Sequence, residues 1–317
     1  TGCHDSPSFL SPLLVAMSSF ALFGALEIGL IYSLVALGVL ISFRLLRFPD
    51  LTVDGSFPLG GAVCAILIAN GHDPYTSTVA ATLAGAAAGA VTAWLNVKLR
   101  IMDLLASILM MIALYSINLR IMGAPNVPLI TEPTLFSLLQ PTWLPDYMGR
   151  PLLLAVVVVA AKFALDWFLG TQTGLAIRAT GSNGRMARAQ GVNTGAMILL
   201  GMALSNALVA LAGALFAQTQ GGSDISMGIG TIVIGLAAVI VGESILPSRR
   251  LLLVTLAVIL GAIVYRFFIA LALNSDFIGL QAQDLNLVTA VLVVLALVLP
   301  RLRKKRVKPA SSNGKEA

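Results

Sequence analysis

The amino-acid sequence predicts an all-α polytopic membrane protein with about nine transmembrane helices. Hydrophobic residues make up 58% of the chain and charged residues only 11%, whereas a soluble domain carries about 25% charged residues. Several apolar runs reach the roughly 20 residues that an α-helix needs to cross a bilayer. Basic residues cluster after alternate runs, as expected for loops on the cytoplasmic side of a membrane.

The predicted spans form one transmembrane domain, residues 17–300, between two short terminal segments. Residues 1–16 are predicted to be an external N-terminal segment, and residues 301–317 a basic cytoplasmic tail. The predicted spans are 17–43, 51–69, 75–97, 104–122, 151–169, 196–220, 229–245, 251–273 and 285–299.

The distribution of charge predicts the orientation of the chain. Basic residues follow the first, third, fifth, seventh and ninth spans, whereas acids dominate the loops between them. Because cytoplasmic loops are enriched in Lys and Arg, we expect the N-terminus outside and the C-terminus in the cytoplasm. The net charge of +6 therefore reflects topology. The basic tail has no interleaved aromatic residues, so it does not indicate a nucleic-acid partner.

A polar segment after the fifth span, residues 173–193, predicts a short helix at the cytoplasmic surface. The segment holds Arg178, Arg185 and Arg188 and no acid. Ser182 or Asn183 suits the N-cap of a helix over 183–190, which Gly191 would end. The helix would dock a cytoplasmic partner, and an ordinary positively charged loop is the alternative. The residues assigned to it are Ser182, Asn183, Gly184, Arg185, Met186, Ala187, Arg188, Ala189, Gln190 and Gly191.

Residues 48–61, at the start of the second span, read as a broken membrane helix with two prolines, three glycines and two carboxylates. Irregular backbone at membrane depth survives only where protein or a water-filled cavity satisfies it, and transporters bind small ligands at such breaks. Asp54 is predicted to cap a helix that begins near Gly55, which leaves backbone N–H groups for a ligand anion. In the alternative, Asp50 and Asp54 only cap a helix. The pathway residues assigned here are Asp54, Gly55, Ser56 and Phe57.

Two other segments are candidate sites. Residues 218–230 hold Gly221, Gly222, Ser223 and Asp224 and are predicted to form an outer gate or a binding-protein contact, with a Gly-rich turn as the alternative. In the fourth span, Ser107, Met111, Tyr115 and Asn118 follow helical spacing and predict one polar stripe that faces a substrate pathway or other helices. A methionine stripe of this kind also suits an ordinary core.

The remaining charges and small residues have structural or functional interpretations. Lys162 and Asp166 form an i, i+4 pair. Glu27 and Arg266 lie deeper in their spans, as functional groups or as a structural ion pair. A GxxxG pattern in the third span predicts a close helix crossing. The chain shows no Walker A, HExxH or nucleophile-elbow pattern and no metal-ligand spacing. We therefore expect no catalytic residues and no bound metal, and ATP hydrolysis only in a partner.

Three sequence segments together resemble a known transporter family over nearly the whole chain. They are GLIYSLVALGVLISFRLLRFPDLTVDGSF (29–57), GLAIRATGSNGRMARAQGVN (174–193) and GMALSNALVALAGAL (201–215). They are similar to the first span and its broken extension, the cytoplasmic coupling helix and the following span of permease subunits of ABC importers related to branched-chain amino acid permeases. Here FPDLTVDGSF replaces the more usual Asn-Phe-Ala-His-Gly run, so the family's ligand contacts do not transfer. This version resembles a subgroup tied to tryptophan- or tyrosine-type binding proteins.

The resemblance implies an importer in the bacterial plasma (inner) membrane. It implies two permease subunits, here a homodimer, with the substrate pathway at their interface. ATPase subunits, which hold the ATP and Mg, would receive the 183–190 helix. An extracellular or periplasmic solute-binding protein would deliver a small solute, an amino acid, with an aromatic amino acid as one candidate. The alternative is a secondary transporter driven by an ion gradient, with Glu27, Asp54 and Arg266 as its ionisable site.

Overall fold

The computed structural model describes residues 19–139, 146–248 and 250–273, together with Val291 and Val294, and this part of the chain is mainly helical. Its helices are α1 (Ser19–Val39, continued by a π-helical turn over Leu40–Leu46), α2 (Val53–Ala69), α3 (Pro74–Leu99), α4 (Asp103–Met122), α5 (Leu135–Leu139), α6 (Asp146–Gly170), α7 (Gln172–Ser182), α8 (Gly184–Ala189), α9 (Thr194–Gln220), α10 (Thr231–Ile245) and α11 (Leu251–Leu273). Two short strands, β1 (Asn126–Pro128) and β2 (Gly222–Asp224), pair antiparallel, with Val127 opposite Ser223.

The helices confirm a polytopic helical membrane protein. In the described ranges, six helices are long and apolar enough to cross a membrane, and α2 and α10 are shorter apolar helices. These eight helices correspond to the first eight predicted spans. The ninth predicted span, 285–299, lies outside the described residues except for Val291 and Val294, so the total of nine stays a prediction. The terminal segments 1–16 and 301–317 also lie outside them.

Helices α2 and α9 lie at the centre of the bundle, and small residues bring α3 and α9 together. A Cβ atom at Gly85 would collide with Ala210 and with the carbonyl oxygen of Asn206. One at Gly89 would collide with the carbonyl oxygen of Met202. Because the two backbones touch directly, the close crossing predicted from the GxxxG pattern is confirmed.

We expect Gly89→Leu to destabilise the bundle by on the order of 3 kcal/mol, because the new side chain must displace the α9 backbone. The loss should appear as a lower midpoint of thermal unfolding in mild detergent, followed by circular dichroism. Ala87→Leu is the matched control, since Ala87 is exposed on the same helix. Equal midpoints for the two variants would contradict the close crossing.

The bundle has two distinct ends. At one, which we call the basic end, the π-helical turn packs against α7 at Gly181, and Arg44 Nε lies 2.9 Å from Glu243 Oε1. Helix α3 ends and α9 begins there, as the contact between Val97 and Gly195 shows. At the other, which we call the strand end, β1 and β2 pair beside the end of α9.

The charges inside the spans have different partners. Lys162 pairs with Asp166, as predicted, and Asp166 Oδ1 also accepts a hydrogen bond of 2.8 Å from Thr255 Oγ1. The guanidinium of Arg266 lies 5.6 Å from the ring centroid of Tyr32. No ion pair joins Glu27 to Arg266, although both residues are described. The structural pair considered for these two residues is therefore wrong.

Candidate functional site

Residues 47–52, between α1 and α2, are irregular backbone that enters the bundle after the exposed Arg47. Arg47 adopts a left-handed conformation (φ 56°) and ends the π-helical turn. Asp50 and Thr52 are fully buried. The hydroxyl oxygen of Thr52 lies 3.0 Å from that of Thr92, which is about 10 Å along α3 from its end at Leu99. The break therefore lies at membrane depth, where protein groups must satisfy its backbone.

A buried polar network holds the break in place. Asp50 Oδ1 accepts a hydrogen bond of 3.0 Å from the Thr52 amide, and Asp50 Oδ2 accepts one of 2.8 Å from Asn206 Nδ2. Asn206 Oδ1 in turn accepts a 2.7 Å hydrogen bond from Ser56 Oγ. Asp50 thus orders Thr52, the residue before α2, although α2 itself has no side-chain cap. Asn206 and its neighbour Ser205 are polar residues in an otherwise apolar run, and no local pattern indicated that Asn206 would join the break to α9.

Asp54 caps a different helix from the one that the sequence predicted. Its carboxylate accepts hydrogen bonds from the Ile232 amide (2.8 Å) and the Gly230 amide (3.4 Å), at the N-terminus of α10. Helix α10 has no side-chain cap of its own at Gly230. A carboxylate at a helix N-terminus is stabilising because it satisfies free N–H groups and complements the helix dipole. These N–H groups are therefore occupied by Asp54, contrary to the prediction that Asp54 would leave backbone amides free for an anion.

The two predicted breaks, 48–61 and 218–230, meet at Asp54. Pro58 lacks an N–H, so it cannot bond the carbonyl of Asp54 within α2. Gly228 packs directly against that carbonyl oxygen and the Pro58 ring, where a Cβ atom would collide with both. The segment after β2 thus runs from the strand end to the first turn of α2, where it packs on Asp54 and Pro58. Its role as an outer gate or a binding-protein contact stays a prediction.

The four residues assigned to an outer gate or a binding-protein contact lie at the strand end of this segment. Gly222, Ser223 and Asp224 form β2, and Gly221 ends α9 in a left-handed conformation (φ 72°). Ser223 is fully buried. The Asp224 carboxylate accepts a hydrogen bond of 2.7 Å from the Ser226 amide and so orders the turn that follows.

A cavity of about 450 Å³ lies beside the junction of the two breaks. It is lined by Asp54, Gly55, Pro58, Met111, Ile112, Tyr115, Ser116, Asn118, Ile225 and Ile229. Five predicted pathway residues are among them: Asp54, Gly55, Met111, Tyr115 and Asn118. Pro58, Ile225 and Ile229 lie in the two predicted breaks, and Ile112 and Ser116 lie in the fourth span, but none of the five was assigned to the pathway. An isoleucine in an apolar segment carries no signal for a cavity.

Three predicted pathway residues do not line the cavity. Ser56 bonds Asn206 instead. Phe57 is fully buried and stacks on the Tyr32 ring, with 5.9 Å between centroids. Ser107 Oγ donates hydrogen bonds to backbone carbonyls, among them Pro49 at 3.2 Å. These three side chains therefore pack inside the bundle, and their assignment to a pathway stays a prediction.

The predicted polar stripe on α4 is also divided. Ser107 and Asn118 are buried against the break, whereas Tyr115 is 56% exposed. Asn118 Nδ2 donates a 3.1 Å hydrogen bond to the Gly55 carbonyl oxygen. The stripe therefore packs on the break at Ser107 and on α2 at Asn118, and Met111 and Tyr115 between them line the cavity.

The short helix predicted at the basic end is present as α8. Asn183 is its N-cap, with Oδ1 accepting a 3.1 Å hydrogen bond from the Met186 amide, and Gly191 follows it in a left-handed conformation (φ 83°). Arg185, Met186 and Arg188 are exposed, and Ala187 is buried. The helix thus presents two guanidinium groups and a thioether at its surface.

Helix α7, which precedes α8, was not predicted. The side chain of Thr171 caps it, accepting a hydrogen bond from the Gly174 amide. Ile177 is fully buried, and Gly181 packs against the carbonyl oxygen of Leu45. Helix α7 therefore packs on the π-helical turn that leads into the break and connects it to α8.

A bundle of apolar helices with a buried break, a cavity at that break and a basic surface helix defines a membrane-transport permease. Residues 21–299 match the family described as the permease component of the branched-chain amino acid transport system. The chain belongs to this family, as the sequence resemblance indicated.

Individual relatives agree with this assignment. The chain is 40% identical to a tyrosine transport system permease protein of Clostridioides difficile, over 86% of this chain and 89% of the relative. It is 33% identical to an uncharacterised protein of Rickettsia prowazekii, over 86% and 95%. It is 27% identical to the ribose import permease protein of Escherichia coli, over 79% and 76%. No solved structure matches the chain significantly.

Family membership settles the broad function. The chain is the permease component of an ABC transport system and a multi-pass protein of the bacterial plasma membrane. Such components are not themselves enzymes, and they operate with an ATPase and a solute-binding protein. This favours the permease over the ion-driven secondary transporter that the sequence left as an alternative.

Proposed function

We propose that this permease imports an amino acid with an aromatic side chain, such as tyrosine, and that the cavity beside Asp54 is part of its pathway. The cavity volume of about 450 Å³ lies within the range of small-molecule sites. Its walls are mainly apolar, with a carboxylate, an amide and two hydroxyl side chains among the lining residues. A relative named as a tyrosine transport permease supports the same substrate class.

The proposal depends mainly on the position of the Asp54 carboxylate in the wall of the cavity. Its carboxylate is half-buried, lines the cavity and uses two hydrogen bonds on the α10 amides. Because a carboxylate has about four acceptor sites, it retains capacity for a substrate ammonium group. The cavity walls then accommodate the apolar side chain of the same amino acid.

The proposal places the basic end in the cytoplasm and the strand end outside, with the N-terminus outside and the C-terminus inside. Arg44 and the exposed arginines of α8 lie at the basic end, as positive-inside topology requires. The solute-binding protein would then dock at the strand end, near Gly221, Gly222, Ser223 and Asp224.

We further propose that the transporter contains two copies of this chain. Ile112 and Tyr115 are 59% and 56% exposed on the side of α4 that borders the cavity. A second copy facing them would enclose the pathway. The ATPase subunits, which bind ATP and Mg, would receive α8 at the cytoplasmic surface.

The direct test is uptake of labelled tyrosine into proteoliposomes that contain this chain, its ATPase and its binding protein. We expect uptake that requires ATP and Mg and persists with a protonophore. Uptake without ATP that collapses with the protonophore would contradict an ATP-driven importer. ATP-dependent uptake of ribose in place of tyrosine would contradict the substrate class and leave the importer intact.

A further inference from the structure

Asn118 carries a buried hydrogen-bond acceptor that no group in the described part of the chain satisfies. The residue is 1% exposed. Its Nδ2 donates to the Gly55 carbonyl oxygen at 3.1 Å, and its Oδ1 has no hydrogen-bond partner. The amide orientation follows from chemistry, because a carbonyl only accepts and so must face the NH₂ group. Leaving a buried acceptor unpaired costs about 1–3 kcal/mol.

The position of Asn118 suggests what satisfies this acceptor. Asn118 is one of the residues that line the cavity beside Asp54, together with Met111 and Ile112. Buried polar groups in folded proteins are almost always paired, and an unpaired one requires an explanation. A ligand that enters the cavity with a polar hydrogen provides such a partner.

We propose that Asn118 is a specificity-determining residue of the pathway, with Oδ1 accepting a hydrogen bond from a phenol O–H or an indole N–H of the substrate side chain. This inference rests on the proposed function. The ammonium group of the substrate belongs at Asp54, since a carboxylate attracts a cation more strongly than a neutral amide oxygen does. The side-chain donor is then left for Asn118.

The expected consequence is discrimination between substrates that differ only in this hydrogen. A site built to bond a substrate hydroxyl disfavours the analogue without it, because the buried acceptor then stays unpaired. Tyrosine and phenylalanine are such a pair. 4-Methoxyphenylalanine extends the test, because it keeps the oxygen of tyrosine but has no hydrogen to donate.

The experiment measures uptake of the three amino acids by the complete reconstituted transporter, at concentrations that saturate the binding protein. The same binding protein serves every permease variant, so its own preference cancels when variants are compared. We expect Asn118→Leu to lower the tyrosine-to-phenylalanine ratio roughly tenfold and to leave the ratio of methoxyphenylalanine to phenylalanine unchanged. If Asn118→Leu does not assemble, Asn118→Ala removes the acceptor without added bulk and is measured in the same way.

Ser107→Ala is the matched control. Ser107 also joins α4 to the break, through Pro49, but does not line the cavity. Its loss should change both uptakes by the same factor and leave their ratio unchanged. An unchanged ratio in the Asn118 variant, with uptake still present, would overturn the inference while the importer stands. If the wild-type complex took up no aromatic amino acid, the proposed substrate and this inference would both be wrong.

Discussion

Replacing Asp54 with alanine is expected to reduce substrate uptake at least tenfold while the transporter still assembles. The change removes the hydrogen bonds that the Gly230 and Ile232 amides donate. Loss of an N-cap side chain lowers protein stability by about 0.5–2 kcal/mol. The contact between α2 and α10 is therefore weakened, but the bundle stays folded. It also removes the proposed ammonium-binding carboxylate from the cavity.

Asp54→Asn separates these two effects. Asparagine caps a helix about as well as aspartate, so it can still accept from the Ile232 amide, but it carries no charge. If Asp54 binds the substrate ammonium, Asp54→Asn should lose most of the uptake that Asp54→Ala loses. Recovery of wild-type uptake in Asp54→Asn would reduce Asp54 to a cap of α10.

The measurement is the initial rate of ATP-dependent uptake in proteoliposomes, normalised to the amount of assembled complex. Asp73→Ala is a suitable control, because Asp73 is exposed and makes no side-chain cap to α3. A similar loss of uptake in this control would show that the assay responds to any removal of a carboxylate.

The spans were predictable because each depends on the composition of one continuous stretch. A run such as 196–220 needs no knowledge of its neighbours to be recognised as a membrane helix. The helix α8 was predictable for the same reason, since Asn183 and Gly191 punctuate it locally. Helix α7 was missed because its short apolar face, including Ile177, is interrupted by polar and small residues.

The site depends on contacts between distant parts of the chain, and hydropathy does not specify these. The sequence marked Asp54 and the Gly-rich segment separately as unusual, but nothing local indicated that Asp54 would cap a helix that begins at Thr231. The need for glycine at position 228 is explained only by its close approach to Pro58, which the sequence does not show. Likewise, nothing in the sequence around Asn206 indicates its bonds to Asp50 and Ser56.

Reversing the two exposed charges of α8, with Arg185→Glu and Arg188→Glu together, is expected to abolish coupling to the ATPase. Both side chains are exposed on a helix that Ala187 and α7 hold against the bundle. A surface of the ATPase that is complementary to the two arginines would repel the two glutamates, and such like-charge contacts oppose docking by several kcal/mol. We therefore expect the ATPase to be lost from the complex in a mild-detergent pull-down, and substrate-stimulated ATP hydrolysis to fall at least tenfold.

The control must change the same charge at the same end of the molecule. Lys98→Glu with Arg100→Glu does so, because both residues are exposed at the end of α3. Proline at Gly184 would be a weaker test, since Gly184 is the first residue of α8, a position where proline is well tolerated. If the α8 double variant retains its ATPase, or if the α3 double variant loses it equally, docking is not specific to α8. If only the α8 variant fails, α8 is the docking helix for the ATPase, and α7 connects it to the π-helical turn before the break.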